Sequence, residues 1–350
     1  METVLKNHLS KIHFGKSQRF ENMEVIPLLS SIKGNTDYLS LSQALQDNLL
    51  EISEIGNNGS VPEVAVINNS DKLILLLDGE ELIGAKQNRV VNTTILLKKE
   101  SKTIIPVSCT EQGRWAYESH NFEDSRVVMP QNIRALKTSA VSLSLNLGNK
   151  FNADQIGIWE EIDKMLCKAG VESHTSAMRD IYRAKENDLD DYLKSFSCLI
   201  DQIGILVFIN GKLAGLDLLS LHSAYNRIHS KILTSYALDA IVKPNKTYSK
   251  DSLNEANNFL EEIISAKVSI HKSVGKGEDY RITNQKLVGS ALVFDNEVVD
   301  FPRKNGYGVK HVLSSSQIEP DSCILSLNDD VYGYKTFQYT QISSVSHPFL

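Results

Sequence analysis

Short apolar segments rich in β-branched residues dominate the first third of the chain. After a short helical pattern near Leu39, strand patterns follow one another with only polar turns between them. The predicted strands cover residues 49–55, 63–67, 72–77, 89–97 and 103–109. Because no helix-length pattern separates the last four, they favour an antiparallel β-sandwich or barrel over a sheet of βαβ units.

The spacing of apolar positions changes after about residue 130. Helical spacing predicts helices over residues 133–147, 152–169, 176–196, 223–242 and 252–266. Two β-hairpins are predicted as well, one turning at Asn210-Gly211 and one at Asp295-Asn296. The sequence therefore predicts an α+β fold, in which an N-terminal antiparallel β-sandwich or barrel-like part packs against an α+β part with hairpins and several helices.

These patterns divide the chain into four parts. They are a weakly patterned N-terminal segment (1–35), a β-rich part that carries the polar motifs (36–130), an α+β part (131–305) and a C-terminal extension of undefined structure (306–350). No Gly/Ser-rich or Pro-rich linker separates the two middle parts. We therefore expect those two parts to pack closely.

Composition and charge narrow the class of protein. The 350 residues include 37 Lys and Arg against 43 Asp and Glu, a formal net charge of −6, which argues against general nucleic-acid binding. No apolar run approaches the roughly 18 residues of a membrane span, and the N-terminus lacks a signal-peptide pattern. We expect a cytoplasmic protein with no membrane contact, which could form a homo-oligomer.

The densest charged segment runs from residue 78 to residue 89 and joins two predicted strands. Its glycines, Gly79 and Gly84, permit tight turns and close approach of a ligand. Its carboxylates could hold a divalent cation, accept hydrogen bonds from ribose or act as general acid and base. Lys86 and Arg89 could clamp a phosphate. The alternative is a solvated loop whose charges pair with each other, and the local pattern alone favours it.

Two further polar segments could contribute to a site. After the predicted strand 103–109, Arg114 offers an anion contact and Trp115 a face for stacking, whereas Cys109 could act as a nucleophile only beside a base. Ordinary packing is the alternative for Cys109 and Trp115. Residues 275–281 combine glycines with charged residues as anion-binding loops do, although a plain turn is favoured there.

These segments resemble a bacterial family of domains associated with ADP-ribosylglycohydrolase, rhodanese and phosphatase-superfamily proteins. The residues that carry the resemblance are Ser60-Val-Pro-Glu, Asp78 to Arg89 with Asn92-Thr93, Ile105 to Trp115, Ser235-Tyr-Ala-Leu-Asp-Ala and Gly277-Glu-Asp-Tyr-Arg. Together they cover roughly residues 36–300. The resemblance implies a link to NAD and ADP-ribose metabolism through gene neighbours, with no activity assigned to the family itself.

We therefore predict a site for a small phosphorylated or nucleotide-like ligand, such as ADP-ribose, between residues 78–89 and 111–115. Hydrolysis or transfer at a glycosidic or phosphoester bond is the enzymatic version, with Glu80, Glu81 and Glu111 as catalytic residues. The predicted ligand-binding residues are Asp78, Lys86, Gln87, Asn88, Arg89, Asn92, Gln112, Arg114 and Trp115, and the secondary candidates are Glu278, Asp279 and Arg281. The sequence specifies no metal ligands, and it leaves open whether the chain is an enzyme.

The alternative function is a non-catalytic scaffold or sensor that binds a protein partner or self-assembles. Lys86 and Arg89 would then pair internally with Glu80, Glu81 and Glu111, and the motif would be a structural network. Replacing Glu81 or Arg89 by glutamine should in that case lower the melting temperature, because breaking a buried charge network is costly.

Overall fold

The computed structural model describes residues 2–30, 34, 36–56, 59–301 and 303–305. The helices in these ranges are α1 (Glu2–Leu9), α2 (Leu41–Gln46), α3 (Gln131–Asn146), α4 (Gln155–Ala169), α5 (Met178–Ala184), α6 (Glu186–Ser195), α7 (His222–Ile241) and α8 (Ser252–Ser265). The strands are β1 (Ile12–Phe14), β2 (Gln18–Phe20), β3 (Met23–Ser30), β4 (Tyr38–Ser40), β5 (Leu50–Ser53), β6 (Glu63–Asn68), β7 (Leu73–Leu76), β8 (Glu80–Gly84), β9 (Arg89–Val91), β10 (Ile95–Leu97), β11 (Ser101–Cys109), β12 (Phe122–Val128), β13 (Gln202–Ile209), β14 (Lys212–Leu218), β15 (Lys267–Lys272), β16 (Glu278–Thr283), β17 (Leu287–Phe294), β18 (Glu297–Asp300) and β19 (Arg303–Asn305). The predicted C-terminal extension, 306–350, lies outside the described residues.

Two sheets form the β-rich part and share one apolar core. A six-stranded sheet has the order β12-β8-β9-β11-β6-β5, and a three-stranded sheet has the order β10-β7-β4. Apolar residues of both sheets pack together, among them Ile52, Ile74, Ile95 and Ile105, all fully buried. The α+β class and its sandwich-like β part are thus confirmed, although β4 pairs with β7 in the parallel sense.

The third sheet joins the N-terminal segment to the second half of the chain. Its order is β1-β3-β13-β14-β19-β17-β16-β15, with β2 also paired to β3 and β18 to β17. The buried strand β3 contains Pro27, a residue that usually excludes a central strand because it cannot donate a hydrogen bond. Here Pro27 lies opposite Gly15, in the gap between β1 and β2, so no ladder bond is lost.

The predicted strand 89–97 is wrong, because the chain changes sheets within it. β9 belongs to the six-stranded sheet and β10 to the three-stranded one, and the connecting Asn92, Thr93 and Thr94 are buried. The predicted loop 78–89 likewise contains a strand, β8. The predicted helix 176–196 is broken at Lys185 into α5 and α6. Both predicted hairpins are confirmed, as β13–β14 and β17–β18.

Candidate functional site

Most of the charged motif 78–89 lies in the interior. Asp78, Glu80, Glu81 and Arg89 are each no more than 1% exposed. Gln87 and Asn88 are buried too, at 4% and 7% exposed, and Lys86 is the one polar side chain of the motif that is partly exposed. Glu80 and Glu81 are neighbours on β8, and successive side chains of a strand point to opposite faces. The two carboxylates therefore reach different partners.

A cluster of buried polar side chains around Asp78, here called the polar core, lies between α3 and the β-rich part. Lys137 on α3 donates to the carboxylate of Asp78 and to the carbonyl oxygens of Val91 (3.1 Å) and Asn92 (3.0 Å). The Thr138 hydroxyl donates to the other oxygen of Asp78 at 3.1 Å. Lys137 has no exposed surface and Asp78 is 1% exposed. This ion pair is therefore part of the interior, where it has hydrogen bonds on both sides.

A second ion pair extends the polar core towards the large sheet. Arg134, one turn before Lys137 on α3, donates two hydrogen bonds of 2.8 Å to the carboxylate of Asp217 on β14. The hydroxyl of Tyr236 on α7 donates to the same carboxylate at 2.6 Å. Gly79 makes room for this arginine, because a Cβ at Gly79 would lie 2.6 Å from Cδ of Arg134. The close approach predicted at Gly79 is thus made by a side chain.

The predicted residues Asn92, Asp279 and Arg281 also face inward. Arg281 donates to Asp279 and, at 2.7 Å, to the hydroxyl of Thr93, which itself donates to Asp279 at 2.6 Å. Asn92 donates to the carbonyl oxygen of Phe151 at 3.0 Å. By contrast Glu278, the first residue of β16, is exposed. The third polar segment therefore supplies an interior pair and one surface carboxylate.

Glu80 and Glu81 are each held by their own partners. Lys231 on α7 donates to Glu80 at 2.9 Å and to Asp124 at 2.8 Å. Glu81 accepts a hydrogen bond of 2.8 Å from the hydroxyl of Thr110. Both glutamates are closed off from solvent, so this arrangement supports a structural role. Their predicted catalytic role stays a prediction.

The burial of Glu81 gives its stability a definite pH dependence. Burial raises the pKa of Glu81 to about 7, against roughly 4.3 in an unfolded chain. The folded state thus holds a proton that the unfolded state releases, and stability falls as pH rises from about 4 to 7. Glu81→Gln cannot ionise. The stability of the variant relative to the parent protein should therefore be about 2–3 kcal/mol greater at pH 8 than at pH 5.

Urea unfolding at the two pH values measures this difference, with Glu123→Gln at an exposed position of β12 as the control. An identical effect of Glu81→Gln on stability at pH 5 and pH 8 would contradict the raised pKa of Glu81.

The C-terminal half of the motif, residues 86–89, meets the segment after β11. Arg89 donates to the Gln87 side chain at 2.7 Å and to the Cys109 sulfur at 2.9 Å. The carboxylate of Glu54 lies 3.7 Å from the Arg89 guanidinium. The ring of Trp115 covers this guanidinium, with its centroid 5.4 Å from Cζ. Arg89 thus forms a charged floor beneath Trp115 and is itself closed to solvent.

Glu111 and Arg114 form the side of the same arrangement. Arg114 Nε donates to Glu111 at 2.9 Å, and its Nη2 donates to the Asn88 side chain at 3.0 Å. Thr175 donates to the second oxygen of Glu111 at 2.8 Å. Burial would raise the pKa of Glu111, but the hydrogen bonds from Arg114 and Thr175 outweigh it and lower the pKa. Glu111 is therefore an ionised acceptor rather than a proton donor near neutral pH.

An aromatic rim stands above this arrangement, consisting of Lys86, Arg114, Trp115 and Tyr117. Trp115 is 47% and Tyr117 is 51% exposed. The ammonium of Lys86 lies 5.4 Å from the Trp115 centroid and 5.0 Å from that of Tyr117, within the range of cation–π attraction. Gln112 is exposed beside the rim. The rim therefore presents two aromatic faces and the ammonium of Lys86 to solvent, whereas Arg114 is paired with Glu111 and, at 3.4 Å, with the exposed Glu118.

Cys109 does not have the properties of a nucleophile. Its thiol is buried, and burial raises its pKa to about 11 although Arg89 lies beside it. The thiolate is the reactive form, so little of it is present near pH 7. The packing alternative is therefore favoured for Cys109.

No group of three or more His, Cys, Asp or Glu side chains among the described residues is placed to hold a metal ion.

Sequence reasoning missed the partners that complete the polar core. They are Arg134, Lys137, Asp217, Lys231 and Asp300, the last of which accepts a hydrogen bond from the hydroxyl of Thr94. One usable signal was present at Asp217, which interrupts the otherwise apolar second strand of the Asn210-Gly211 hairpin. Sequence reasoning also missed Tyr117 in the rim, although this aromatic residue lies only two positions after Trp115.

The fold and the site define an α+β protein built around buried ion pairs, with aromatic and basic side chains on its surface. The chain belongs to the family ARPP-1, the ARG and Rhodanese-Phosphatase-superfamily-associated Protein domain, whose model matches residues 11–302. The resemblance found in the sequence is thereby confirmed. No curated protein and no solved structure matches the chain at a significant level. Among the described residues, none of the helices has both the length and the apolar character needed to cross a membrane.

Proposed function

We propose that the aromatic rim binds a nucleotide or ADP-ribose-like ligand. The observation that carries the proposal is the pair of half-exposed rings, Trp115 and Tyr117, arranged around the ammonium of Lys86. An aromatic ring can stack on any nucleobase, and neighbouring cations neutralise phosphate.

Each part of such a ligand has a counterpart at the rim. The base stacks on Trp115 or Tyr117, and the phosphates lie against Lys86 and the guanidinium of Arg114, whose side chain is 16% exposed. The side-chain amide of Gln112, which is exposed beside the rim, is the counterpart of the ribose hydroxyls, and the buried Glu111 holds Arg114 in place. The family's association with ADP-ribosylglycohydrolases is loosely consistent with an ADP-ribose-containing ligand.

The proposal concerns binding, since Glu80 and Glu81 lie in the interior, away from the rim. Hydrolysis or transfer stays a prediction. The alternative of a non-catalytic scaffold or sensor is supported by the burial of Asp78, Glu80 and Glu81 in ion pairs and hydrogen bonds. Their partners are Lys137, Lys231 and Thr110, in place of the pairing with Lys86 and Arg89 that this alternative predicted. A sensor that binds its ligand at the rim would combine the two.

Removing one ring of the rim should weaken binding of ADP-ribose without unfolding the protein. Stacking of a base on an aromatic ring contributes about 1–3 kcal/mol, so Trp115→Ala or Tyr117→Ala should raise the dissociation constant about tenfold or more. Isothermal titration measures this change. Tyr248→Ala is a matched control, because Tyr248 is also exposed and also carries a cation, Arg19, over its ring at 5.0 Å.

Titration with AMP, NAD and ribose 5-phosphate separates the contributions of base and phosphate. We expect AMP and NAD to bind and ribose 5-phosphate not to bind. Equal losses in Tyr117→Ala and Tyr248→Ala would contradict the proposal.

A further inference from the structure

Strand β15 forms one end of the large sheet, and none of the strands in the described residues pairs with its outer edge. Its six residues pair with β16 in one continuous antiparallel register, from Lys267 opposite Thr283 to Lys272 opposite Glu278. Proteins often shield an exposed edge with a proline, a bulge or a charged side chain, because an open edge can accept another strand. In β15 the only charged shields are the lysines at its two ends. The four residues between them leave a regular, open edge.

Three residues of β15 direct their backbone groups towards this open edge. The ladder with β16 continues to Ser273, whose amide donates to the carbonyl oxygen of Gly277 at 3.4 Å. In an antiparallel ladder, every second residue of a strand bonds to the same neighbour. The residues that bond to β16 are therefore Lys267, Ser269 and His271, and those that face the open edge are Val268, Ile270 and Lys272. The edge thus presents three amide and carbonyl pairs, roughly 7 Å apart.

A cavity of about 540 Å³ lies beside the C-terminal end of the edge. His271 lines it, together with Phe151 after α3 and Ile104 of β11, which is 42% exposed. The Phe151 ring lies 5.6 Å from the guanidinium of Arg281, which stands opposite Ser269 in the ladder. The cavity is therefore on the face of β15 that carries Ser269 and His271. A strand added to the edge would place a side chain there.

The lysines at the two ends of β15 favour a foreign strand over a second copy of this chain. If two copies of the edge paired in the antiparallel sense, Lys272 of each copy would approach Lys267 of the other. Like charges facing each other destabilise a ladder. Glu278 stands opposite Lys272 and partly offsets its charge, whereas Lys267 stands opposite the neutral Thr283. An acidic residue in the added strand is therefore best placed beside Lys267.

We propose that the edge of β15 binds an extended segment of a partner protein as an additional antiparallel strand. The backbone groups of Val268, Ile270 and Lys272 supply the hydrogen bonds, and an apolar side chain of the segment enters the cavity beside His271. In such strand addition the main-chain bonds supply affinity and the side-chain pocket supplies specificity. None of the residues of the aromatic rim lines the cavity, so this surface is distinct from the site proposed above.

The capped hexapeptide Thr-Phe-Val-Val-Thr-Glu is the direct probe. As an antiparallel strand it places phenylalanine opposite His271 and glutamate opposite Lys267. Amide hydrogen exchange on the full chain, followed by NMR, examines the edge residue by residue. In the free protein the amide of Ile270 should exchange rapidly, whereas those of Ser269 and His271 should be protected by β16. Adding the peptide should slow exchange at Ile270 about tenfold or more.

Methylation of the peptide backbone provides a matched control that leaves the protein unchanged. Methyl groups on the amide nitrogens of the third and fifth residues remove the donors that face β15. They should weaken binding about tenfold or more, as measured by fluorescence anisotropy of the labelled peptide. Methyl groups on the second and fourth residues, whose amides face away from β15, should leave the affinity unaltered.

Ile270→Pro removes the central donor of the edge, and a proline at this position loses no bond to β16. It should abolish peptide binding, whereas Ile270→Ala, which only shortens the side chain, should retain it. Binding that survives Ile270→Pro, or methylation of the third and fifth residues, would overturn the proposal, as would no binding of the peptide at all. A chain that sediments as a dimer, and as a monomer after Ile270→Pro, would also overturn it, because the edge would then take a second copy.

Discussion

Replacing Lys137 by methionine should lower the free energy of unfolding by about 3–5 kcal/mol, the usual result of removing one member of a buried ion pair. Methionine keeps most of the length and volume of the lysine side chain. The substitution leaves the carboxylate of Asp78 in the interior with its charge uncompensated, and it removes the donor to the carbonyl groups of Val91 and Asn92. Urea unfolding followed by circular dichroism measures the loss.

Two controls separate this effect from a general sensitivity to mutation. Lys168→Met removes an exposed lysine from α4 and should change stability by less than about 0.5 kcal/mol. The double variant with Asp78→Asn should lose less than Lys137→Met alone, because it removes the uncompensated charge. A single variant as stable as Lys168→Met would show that the polar core does not hold the fold together.

Asp217→Asn should also destabilise the protein by about 3 kcal/mol or more. The asparagine has nearly the shape of the aspartate but offers only one acceptor oxygen and no charge. Arg134, 2% exposed, then loses its bidentate partner, and Tyr236 loses its acceptor or must share it. The same unfolding measurement applies, with Asp190→Asn at an exposed position of α6 as the control. Equal stabilities of these two variants would contradict the structural role of the Arg134–Asp217 pair.

The apolar pattern predicts much of the fold because the elements it identifies bury an apolar face. Helix α3 shows where this reasoning weakens. Its buried face carries Arg134, Lys137 and Thr138, so charged and hydroxyl side chains occupy positions that are apolar in an ordinary helix. The sequence did not predict strand β3. Pro27 argues against a buried strand unless the neighbouring strands leave a gap opposite it.

The candidate site was predicted only in part because the partners of the motif are distant in sequence. Asp78 meets a lysine 59 residues away, and Glu80 meets one 151 residues away. Local pattern assigns so charged a segment to the surface, since unpaired charges are excluded from interiors. Glu111, Arg114 and Trp115 lie close to residues 86–89, because the ends of β8, β9 and β11 lie side by side in one sheet.

We propose a division of roles within the charged motif: its buried charges stabilise the fold, and Lys86, its one partly exposed charge, binds the ligand together with the rest of the rim. Isothermal titration of ADP-ribose into the parent protein and into Lys86→Met tests this division most directly. We expect one ligand per chain for the parent protein and about tenfold weaker binding for Lys86→Met, with the melting temperature of the variant unchanged. No heat from the parent protein, or a Lys86→Met variant as unstable as Lys137→Met, would contradict it.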